Sequence, residues 1–344
     1  MAAKRVPVAV LGATGYVGVE LLRVLARHPD VELVFVSSEQ YRGKRASDVY
    51  PALRGYVDLA LEAPDPDAAA AKAEVVFTAL PHGASAPIVT ALRTRGRIVV
   101  DQSADFRLHD VGTYAKWYGD HHPAPELLAD AVYGIPEIHR EKLRTTKLVA
   151  APGCYPTCAL LGLVPLARAG LIRETVVVDA KSGTTGAGRG AKVEQLFAEV
   201  NENFHPYAVN GHRHLPEIDQ ELREAGAGAG ALFIPHLLPL SRGMECTMYV
   251  RAPADPRLDD LFSRAYREEP FVVLRGSEPP TIGEVRGTNR CAIGWRWDAT
   301  TGYAVVMTTL DNLGKGAAGQ GVQCMNVVLG LPETAGLDAP GLVP

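Results

Sequence analysis

Two of the chain's five cysteines lie four residues apart in the segment APGCYPTC. A structural metal site needs a second pair of ligands at matching spacing, and the remaining cysteines, at positions 246, 291 and 324, are scattered. The pair is therefore not predicted to bind a metal. Cys158 is followed by a run of apolar residues, a pattern that predicts a buried packing residue inside a helix.

Cys154 has surroundings that suit a nucleophile. Pro152 and Gly153 end a predicted strand, and Pro156 suits the first turn of a helix, where its missing N–H costs nothing. These residues place Cys154 at a helix N-terminus, whose positive field lowers the pKa of a thiol and makes thiolate available. The alternative role for Cys154 is that of a small residue at a helix cap.

The segment GHRHLPEI supplies candidates for proton transfer. His214 is our first choice as general acid and base, and His212 is the second. Glu217 lies three residues after His214, across a predicted helix start, so its carboxylate is predicted to orient the imidazole. His212 and Arg213 are also candidates for contact with a phosphate or carboxylate of a substrate. A metal site at His-x-His is not predicted, because no cluster of acidic or cysteine ligands accompanies it.

A glycine-rich turn, GATGYVG, joins the first predicted strand to the first predicted helix. Glycines let the backbone approach a phosphate, and the N–H groups of a helix N-terminus bind it. Because the turn lies between a strand and an amphipathic helix, a dinucleotide site is favoured over a plain tight turn. The residues predicted to contact the dinucleotide here are Gly12, Thr14, Gly15, Tyr16 and Val17.

The end of the second predicted strand indicates which dinucleotide is bound. NAD sites usually carry an acidic residue there to hold the ribose 2′-OH. This chain has two serines followed by three cations: Ser37, Ser38, Arg42, Lys44 and Arg45. Hydroxyls and cations suit a 2′-phosphate, so the predicted cofactor is NADP(H), with Ser37, Ser38 and Arg42 as contacts.

Arg107 follows another predicted strand of the first third, in DQSADFR. Clefts open at this edge of a parallel sheet. A guanidinium there can bind a phosphate or carboxylate through two parallel hydrogen bonds, so Arg107 is a predicted substrate contact. A surface ion pair is the alternative.

Length and composition narrow the class of protein. At 344 residues the chain is long for one core, which predicts two domains. A net charge of −4 gives no reason to expect a nucleic acid or an anionic membrane as partner. The longest apolar runs fall short of the ~18 residues that span a bilayer. Five scattered cysteines argue against a disulfide framework and predict a cytoplasmic protein.

Strand and helix patterns alternate in the first part of the chain and change after residue 150. Apolar strand patterns occupy residues 6–12, 31–38, 73–81, 97–103 and 147–152, and helical patterns occupy 17–29, 67–73 and 85–96. This alternation predicts a Rossmann-like, doubly wound parallel sheet. A further helix, 158–170, is followed by longer strand patterns at 173–183, 231–240, 246–253 and 303–312. They predict an α+β catalytic domain with a mixed or antiparallel sheet.

Seven motifs spread over nearly the whole chain resemble those of the N-acetyl-γ-glutamyl-phosphate reductases, a family of the aspartate-semialdehyde dehydrogenase superfamily. The motifs are GATGYVGVELLR, ALPHG, DQSADFRL, PGCYPT, SGTTGAGR, GHRHLPEI and DNLGKGAAGQ. Two departures from the family pattern are Gly314, where the family leads us to expect valine, and Thr184-Thr185.

The resemblance implies the activity and several residue roles. Cys154 would attack an acyl phosphate, and NADPH would reduce the resulting thioester to an aldehyde. The family also implies that Gly183 and Asn312 lie at the cofactor site. It implies an NADP-binding domain of residues 1–150, completed by 315–344, and a catalytic and oligomerisation domain of residues 151–314.

Three alternatives remain at this point. The acyl phosphate is an N-acetylglutamyl, an amino-blocked aminoadipyl or an aspartyl phosphate, which differ by a methylene or two and in the amino group. From a different class, the chain is a non-catalytic NADP(H)-binding regulator that kept the fold and lost the chemistry. The intact Cys154, His214 and Glu217 argue against the regulator. Long apolar strands predict a subunit interface, hence a homo-oligomer (a dimer or tetramer).

Overall fold

Residues 5–119 and 121–342 are described by the computed structural model, in which the chain divides into two units. The first unit runs to Pro152 and is completed by Ala317–Ala339. The second comprises Gly153–Gly316 and the chain that follows Pro340. No helix in the described ranges combines the length and the apolar character needed to cross a membrane.

The first unit alternates strands and helices as its sequence pattern predicts. Its strands are β1 (Val6–Leu11), β2 (Val31–Ser37), β3 (Leu61–Glu62), β4 (Val75–Thr78), β5 (Ile98–Asp101), β6 (Ala131–Tyr133) and β7 (Leu148–Ala150). Its helices before β7 are α1 (Tyr16–Leu25), α2 (Ala46–Val49), α3 (Pro66–Lys72), α4 (Ser85–Thr94), α5 (Val111–Tyr118) and α6 (Pro136–Leu143). Short 3₁₀ turns occupy Pro51–Leu53 and Pro125–Leu127.

The seven strands form one parallel sheet in the order β3-β2-β1-β4-β5-β7-β6. The order reverses between β1 and β4, and ligands of such sheets bind at the carboxyl ends of the strands beside this point. β1 is apolar on both faces because a parallel sheet is covered on both sides. The prediction of a doubly wound parallel sheet is confirmed.

The second unit carries the longer strands. Its helices are α7 (Cys154–Arg168), α8 (Phe197–Val200), α9 (Leu215–Glu224), α10 (Leu258–Tyr266) and α11 (Ile282–Val285). Its strands are β8 (Val176–Ser182), β9 (His205–Pro206), β10 (Ala231–Leu237), β11 (Met244–Arg251), β12 (Val272–Gly276), β13 (Cys291–Asp298) and β14 (Tyr303–Leu310). Two 3₁₀ turns occupy Thr184–Ala187 and Val193–Gln195. A π-helical turn, Gly314–Ala318, begins in the second unit and ends in the first.

These strands form a mixed sheet in the order β12-β13-β14-β11-β8-β10-β9. The pairs β12–β13 and β8–β10 are parallel, and the other neighbours are antiparallel. The α+β prediction is therefore confirmed, although β9, β12 and β13 were not predicted from the sequence.

Helix α7 packs on this sheet and contains a proline whose effect is compensated. Pro165 has no N–H, so the carbonyl of Leu161, four residues earlier, lacks its helical hydrogen bond. The hydroxyl of Tyr266 donates to that carbonyl at 2.6 Å. Gly162 lies so close to Met248 of β11 that a Cβ there would be 2.5 Å from the methionine Cε. The helix therefore stays continuous and close to the sheet from Cys154 onwards.

The last helix, α12 (Gly319–Leu329), belongs to the first unit. Small residues bring it close to β5, since a Cβ on Gly321 would overlap the side chain of Gln102. Gln320 donates to the carbonyl of Gly134 at 2.8 Å, and Asn326 shares a 2.9 Å hydrogen bond with His28. The helix is thus buried on several sides, and its polar side chains bond to the elements around it.

Candidate active site

The glycine-rich turn of the first unit has no room for side chains at two of its glycines. Gly12 has a φ of +83°, and a Cβ there would overlap the carbonyl of Ala79. A Cβ on Gly18 would overlap the carbonyl of Gly12. The backbone N–H groups of Tyr16 and Val17, in the first turn of α1, have no acceptor in the described part of the chain. A close backbone approach and two open donors fit the pyrophosphate of a dinucleotide.

The two serines at the end of β2 support this turn. Ser37 is fully buried, and its hydroxyl accepts the N–H of Gly12 at 3.3 Å. The hydroxyl of Ser38 lies 2.7 Å from that of Thr14 and accepts the N–H of Tyr41. Both hydroxyls therefore shape the turn, and their contact with a ribose phosphate stays a prediction.

The cations after β2 are placed differently from the serines. Arg42, Lys44 and Arg45 are exposed in the turn that follows the strand, and the Lys44 Nζ lies 5.7 Å from the centre of the Tyr41 ring. Arg42 forms no ion pair with any described residue. Its guanidinium is therefore available to a 2′-phosphate.

Two buried carboxylates that we did not single out from the sequence shape the carboxyl edge of the parallel sheet. Burial raises the pKa of Asp101, whose carboxylate accepts hydrogen bonds at 2.6 Å from the hydroxyls of Thr78, Ser85 and Ser103. Asp105 accepts hydrogen bonds from the N–H of Gly83, the N–H of Ala86 and the hydroxyl of Tyr114. Asp101 thus joins the ends of β4 and β5, and Asp105 anchors the loop before α4. The sequence signal that could have identified Asp101 and Asp105 is the polar run DQSAD at the end of an apolar strand.

Arg107 is buried, so its alternative role as a surface ion pair is wrong. Its side chain is 8% exposed, and it donates to the carbonyl of Ala151 at 2.7 Å and to that of Gln102 at 3.0 Å. The guanidinium therefore holds the chain three residues before Cys154. Its contact with a substrate stays a prediction.

Cys154 is the first residue of α7, with Gly153 as the N-cap. It is partly exposed, whereas the other four cysteines are buried. Cys158, one turn further on, is fully buried, and its sulfur lies 3.2 Å from the hydroxyl of Thr308. These placements agree with a reactive residue at position 154 and a packing residue at position 158.

The start of α7 offers a hydrogen-bond donor beside the thiol. Pro156 has no N–H, and the N–H of Thr157 already bonds to the carbonyl of Gly153 at 3.0 Å. The N–H of Tyr155 has no acceptor in the residues that the structure describes. This donor, at the positive end of a 15-residue helix, suits a negatively charged oxygen.

His214 and Glu217 both meet the backbone of Gly153. His214 is the N-cap of α9, and its Nε2 lies 2.5 Å from the position that a Cβ on Gly153 would occupy. Glu217 is fully buried, and its Oε2 accepts the N–H of Gly153 at 3.0 Å. The imidazole and the carboxylate are therefore both beside the residue that precedes Cys154, and Glu217 fixes that residue's peptide.

His212 is partly buried beside Arg213, and its ring bonds to the backbone of His214. Burial, followed by the charge of Arg213, lowers the pKa of His212 to about 4. Its Nδ1 accepts the N–H of His214 at 3.1 Å. Arg213 is exposed, and its predicted contact with the substrate stays a prediction.

The two residues assigned to the cofactor by resemblance lie in the second unit. Gly183 is buried, and a Cβ there would be 2.8 Å from the carbonyl of Leu240. Asn312 accepts the N–H of Gly243 at 2.8 Å and donates to the hydroxyl of Thr185 at 2.9 Å. Both residues therefore connect the loop after β8 to the turn before β11, and their contact with a cofactor stays a prediction.

A buried ion pair beside Asn312 was missed from the sequence. Asp311 is fully buried, and Arg242 donates to its carboxylate from Nε and Nη2 at 3.0 Å. The N–H groups of Gly287 and Gly314 also donate to this carboxylate. Nothing in the separate segments indicated the pair, because its members are 69 residues apart.

The two departures from the family pattern have local explanations. A Cβ on Gly314 would overlap the carbonyl of Thr288, so valine does not fit this backbone. Two residues later, a Cβ on Gly316 would be 2.9 Å from the Cβ of Cys154. The hydroxyl of Thr185 donates to the carbonyl of Ser241 at 2.6 Å.

Two family models match the chain. Residues 7–146 match the NAD-binding domain of semialdehyde dehydrogenases, and residues 154–312 match their dimerisation domain. The fold and the two matches therefore define an enzyme of the semialdehyde dehydrogenase class, whose cofactor is NADP(H).

Curated relatives identify the family within the semialdehyde dehydrogenase class. N-acetyl-gamma-glutamyl-phosphate reductases of Moorella thermoacetica and Geobacter sp. are each 49% identical to this chain, covering 97% and 96% of it and 99% and 97% of their own lengths. The corresponding protein of Pseudomonas syringae is 48% identical over 98% of this chain and all of its own. The chain belongs to the N-acetyl-gamma-glutamyl-phosphate reductase family, and the resemblance drawn from its motifs is confirmed.

Solved structures agree at the level of the fold. An aspartate semialdehyde dehydrogenase II from Vibrio cholerae, complexed with ASA, superposes with a TM-score of 0.73 at 19% identity, over 95% of this chain and 99% of that one. An aspartate semialdehyde dehydrogenase with NADP from Candida albicans superposes with a TM-score of 0.71 at 16% identity, over 95% of this chain and 99% of that one.

Proposed function

We propose that the protein reduces N-acetyl-L-glutamyl 5-phosphate to N-acetyl-L-glutamate 5-semialdehyde and phosphate with NADPH, a step of arginine biosynthesis. Support comes from the relatives, which carry the name of this reductase at up to 49% identity over nearly the full chain. The chemistry is supported by the observation that the His214 imidazole and the Glu217 carboxylate both lie at Gly153. Gly153 directly precedes Cys154 at the start of α7.

The first unit is proposed to hold NADPH. The N–H groups of Tyr16 and Val17 would bind its pyrophosphate. Gly12 allows the turn to pack against Ala79, and Gly15, which lacks a side chain, leaves room for the close approach. Arg42 would meet the 2′-phosphate. When bound, the cofactor supplies two electrons as hydride to the carbonyl carbon of the thioester.

The second unit is proposed to carry the covalent chemistry. The thiol proton of Cys154 passes to the imidazole of His214, and the sulfur attacks the acyl carbon. The carbon–sulfur bond forms, the bond from that carbon to the phosphate oxygen breaks, and phosphate leaves. The proton held by His214 passes to the departing phosphate. After reduction, the thiohemiacetal oxyanion collapses, the carbon–sulfur bond breaks and the aldehyde is released, and the thiolate takes a proton from water to restore the thiol. The N–H of Tyr155 and the positive end of α7 stabilise the negative oxygen in both halves.

A test in the oxidative direction separates this function from its alternatives. Purified protein with NADP⁺ and phosphate is offered N-acetyl-L-glutamate 5-semialdehyde, its aminoadipate homologue and aspartate semialdehyde in parallel. We expect kcat/KM for the first to exceed that for aspartate semialdehyde by at least ~10-fold, about 1.4 kcal/mol. Preference for the longer homologue would move the protein to another acyl phosphate, and no turnover of any aldehyde would favour the non-catalytic regulator.

A second copy of the chain is proposed to cover one face of the second unit's sheet. Residues of β8, β10, β11 and β14 alternate between a buried face and an open face. The open face carries Val177, Lys181, Leu232, Tyr249 and Val305. The match to a dimerisation domain over residues 154–312 supports an isologous dimer through this face.

Exposed apolar residues extend the open face beyond the strands. The segment between β8 and α9 exposes Leu196, Phe197 and Phe204, of which Phe197 is 80% exposed. Phe204 stacks on His236 of β10 with ring centres 5.0 Å apart, so the segment is continuous with the open face. We place the dimer in the cytoplasm, because none of the five cysteines, all within the described residues, forms a disulfide.

A further inference from the structure

We propose that His212 is a positioning residue, which holds the backbone of His214 so that the His214 imidazole stays beside Gly153, and that it exchanges no proton with the substrate. This proposal rests on the proposed role of His214. It reverses the part of the sequence prediction that made His212 a second acid–base candidate.

Within the residues that the structure describes, the hydrogen bonds of His212 run to the start of α9. Its Nδ1 accepts the N–H of His214 at 3.1 Å, and its carbonyl accepts the N–H of Leu215 at 2.9 Å. Two of the donors left over at a helix N-terminus are therefore satisfied by one residue. An Nδ1 that accepts a backbone N–H carries no proton, so the ring is the neutral Nε2–H tautomer.

Aromatic rings fix the plane of the His212 ring. The distances between ring centres are 5.7 Å to Tyr155, 5.7 Å to Tyr207 and 5.4 Å to Phe233. The angles between the ring planes are 88°, 72° and 72° respectively. The Tyr207 hydroxyl donates to the Tyr155 hydroxyl at 3.2 Å, which joins two of these rings. Edge-to-face contacts of this kind hold a ring in one orientation. His214 completes the set, with its ring centre 4.8 Å from that of His212.

The charges around His212 favour its neutral form. Burial raises the pKa of Tyr155, and it raises the pKa of Tyr207 to about 12, so neither phenol becomes an anion near neutral pH. Arg213 is a cation beside the ring and opposes a second positive charge. A ring that stays neutral is a very weak acid at its Nε2–H, and it is a poor base at Nδ1, whose lone pair is occupied.

The test compares replacements that keep different parts of His212. In His212→Asn, the amide oxygen takes nearly the place of Nδ1 and keeps an acceptor for the His214 N–H. His212→Phe keeps a ring for the aromatic contacts and loses the acceptor. We expect His212→Phe to lower kcat by at least ~10-fold with KM changed less than about threefold, because a misplaced imidazole affects the reaction more than binding. His212→Asn is expected to recover most of that loss.

A second measurement needs no substrate, so its failure is distinguishable from failure of the proposed function. The rate at which iodoacetamide alkylates Cys154 is followed against pH, with peptide mapping to identify the site. His214→Asn is expected to alter this pH profile, and His212→Asn is expected to keep the profile of the unmodified protein. If His212→Asn is as slow as His212→Phe and alters the alkylation profile as His214→Asn does, His212 itself exchanges the proton and the proposal is wrong. This comparison stands even if His212→Phe fails to fold.

Discussion

At the scale of single residues, Gly153 connects the groups proposed for the chemistry. Its N–H donates to Glu217, its carbonyl accepts the N–H and the hydroxyl of Thr157, and its missing side chain leaves room for His214. A carboxylate that bonds to a backbone N–H fixes the peptide without adding a competing proton donor. The thiol of Cys154 is therefore held at the start of α7 by bonds made one residue earlier.

The position of Cys154 predicts selective reactivity. Because it is partly exposed and the other four cysteines are buried, brief iodoacetamide treatment at neutral pH is expected to alkylate Cys154 first. Cys154→Ser is expected to lower kcat by at least ~10³-fold. Peptide mapping checks the first result and steady-state kinetics the second. Cys158→Ala serves as the control that keeps labelling at Cys154, and faster labelling of Cys158 would contradict the assignment.

The lowered pKa of His212 predicts a loss of stability in acid. In the unfolded chain a histidine binds a proton as the pH falls below about 6.5, whereas the folded His212 resists protonation until about pH 4. Between these values the unfolded state gains the proton first, so the free energy of unfolding falls, by on the order of 3 kcal/mol. His212→Asn removes this titration. Denaturant unfolding from pH 7 to 4 is expected to show a steeper decline for the unmodified protein, and parallel curves would refute the prediction.

At the scale of elements, two helices owe their positions to residues far away in the chain. Helix α7 runs through Pro165 because Tyr266 satisfies the carbonyl of Leu161 from another helix. The turn before α1 is shaped by Ser37 and Ser38 at the end of β2. In both cases the helix N-terminus proposed to act in binding or catalysis depends on polar contacts with another element.

Tyr266→Phe tests the support of α7. The change removes one hydroxyl and leaves the Leu161 carbonyl buried without its 2.6 Å donor, which is expected to cost about 1–3 kcal/mol of unfolding free energy. Urea denaturation measures it. Tyr56→Phe, at a tyrosine that is 66% exposed, is the matched control and is expected to change stability by less than about 0.5 kcal/mol. Equal effects of the two changes would show that the contact is not needed.

Arg42 in the turn after β2 is expected to set the preference for NADPH. Arg42→Glu places a negative charge at the proposed 2′-phosphate contact and is expected to lower kcat/KM for NADPH by at least ~10-fold while changing that for NADH much less. Kinetics with each cofactor measure the ratio. Arg27→Glu, another exposed arginine just beyond α1, is the charge-matched control. Equal losses with both cofactors would remove Arg42 from 2′-phosphate recognition.

At the scale of the whole molecule, the open sheet face of the second unit is the surface that we propose a second copy of the chain covers. Its strands alternate as a half-covered antiparallel sheet does, yet the outward residues include Val177, Tyr249 and Val305. Lys181 on this face bonds to Asp179 at 2.8 Å and to Glu245 at 3.1 Å. Charges that are paired within the chain can be covered by a second copy at lower cost than unpaired ones.

Tyr249→Arg is expected to weaken this interface. Light scattering after gel filtration should give twice the 36.8 kDa chain mass, or a multiple of that dimer, for the unmodified protein. A shift towards 36.8 kDa is expected for the variant, because a buried unpaired cation costs several kcal/mol. Tyr56→Arg, at an exposed tyrosine of the first unit, is the control. Unchanged mass for Tyr249→Arg would place the interface elsewhere.

Sequence patterns determined the elements and the candidate nucleophile. The near-continuous apolar strands of the first unit and the turn between β1 and α1 identified the parallel sheet, since period and glycine placement are local properties. β13, with the sequence CAIGWRWD, was missed because Gly294 and Arg296 interrupt it, so it matches neither a continuous apolar run nor an alternating pattern. Cys154 at a helix start was also predicted, because Pro152, Gly153 and Pro156 mark that start within five residues.

Tertiary structure decided which polar groups meet. The fold brings the Oε2 of Glu217 to the N–H of Gly153, 64 residues away, a contact that local spacing did not indicate. The orientation of the His214 imidazole by Glu217 stays a prediction. The fold also buried Arg107 against backbone carbonyls and enclosed His212 among aromatic rings from three other segments. Local spacing indicates which chemistry a residue could take part in and which element it lies in. Its burial, its pKa and its partners depend on segments that only the folded chain brings into contact.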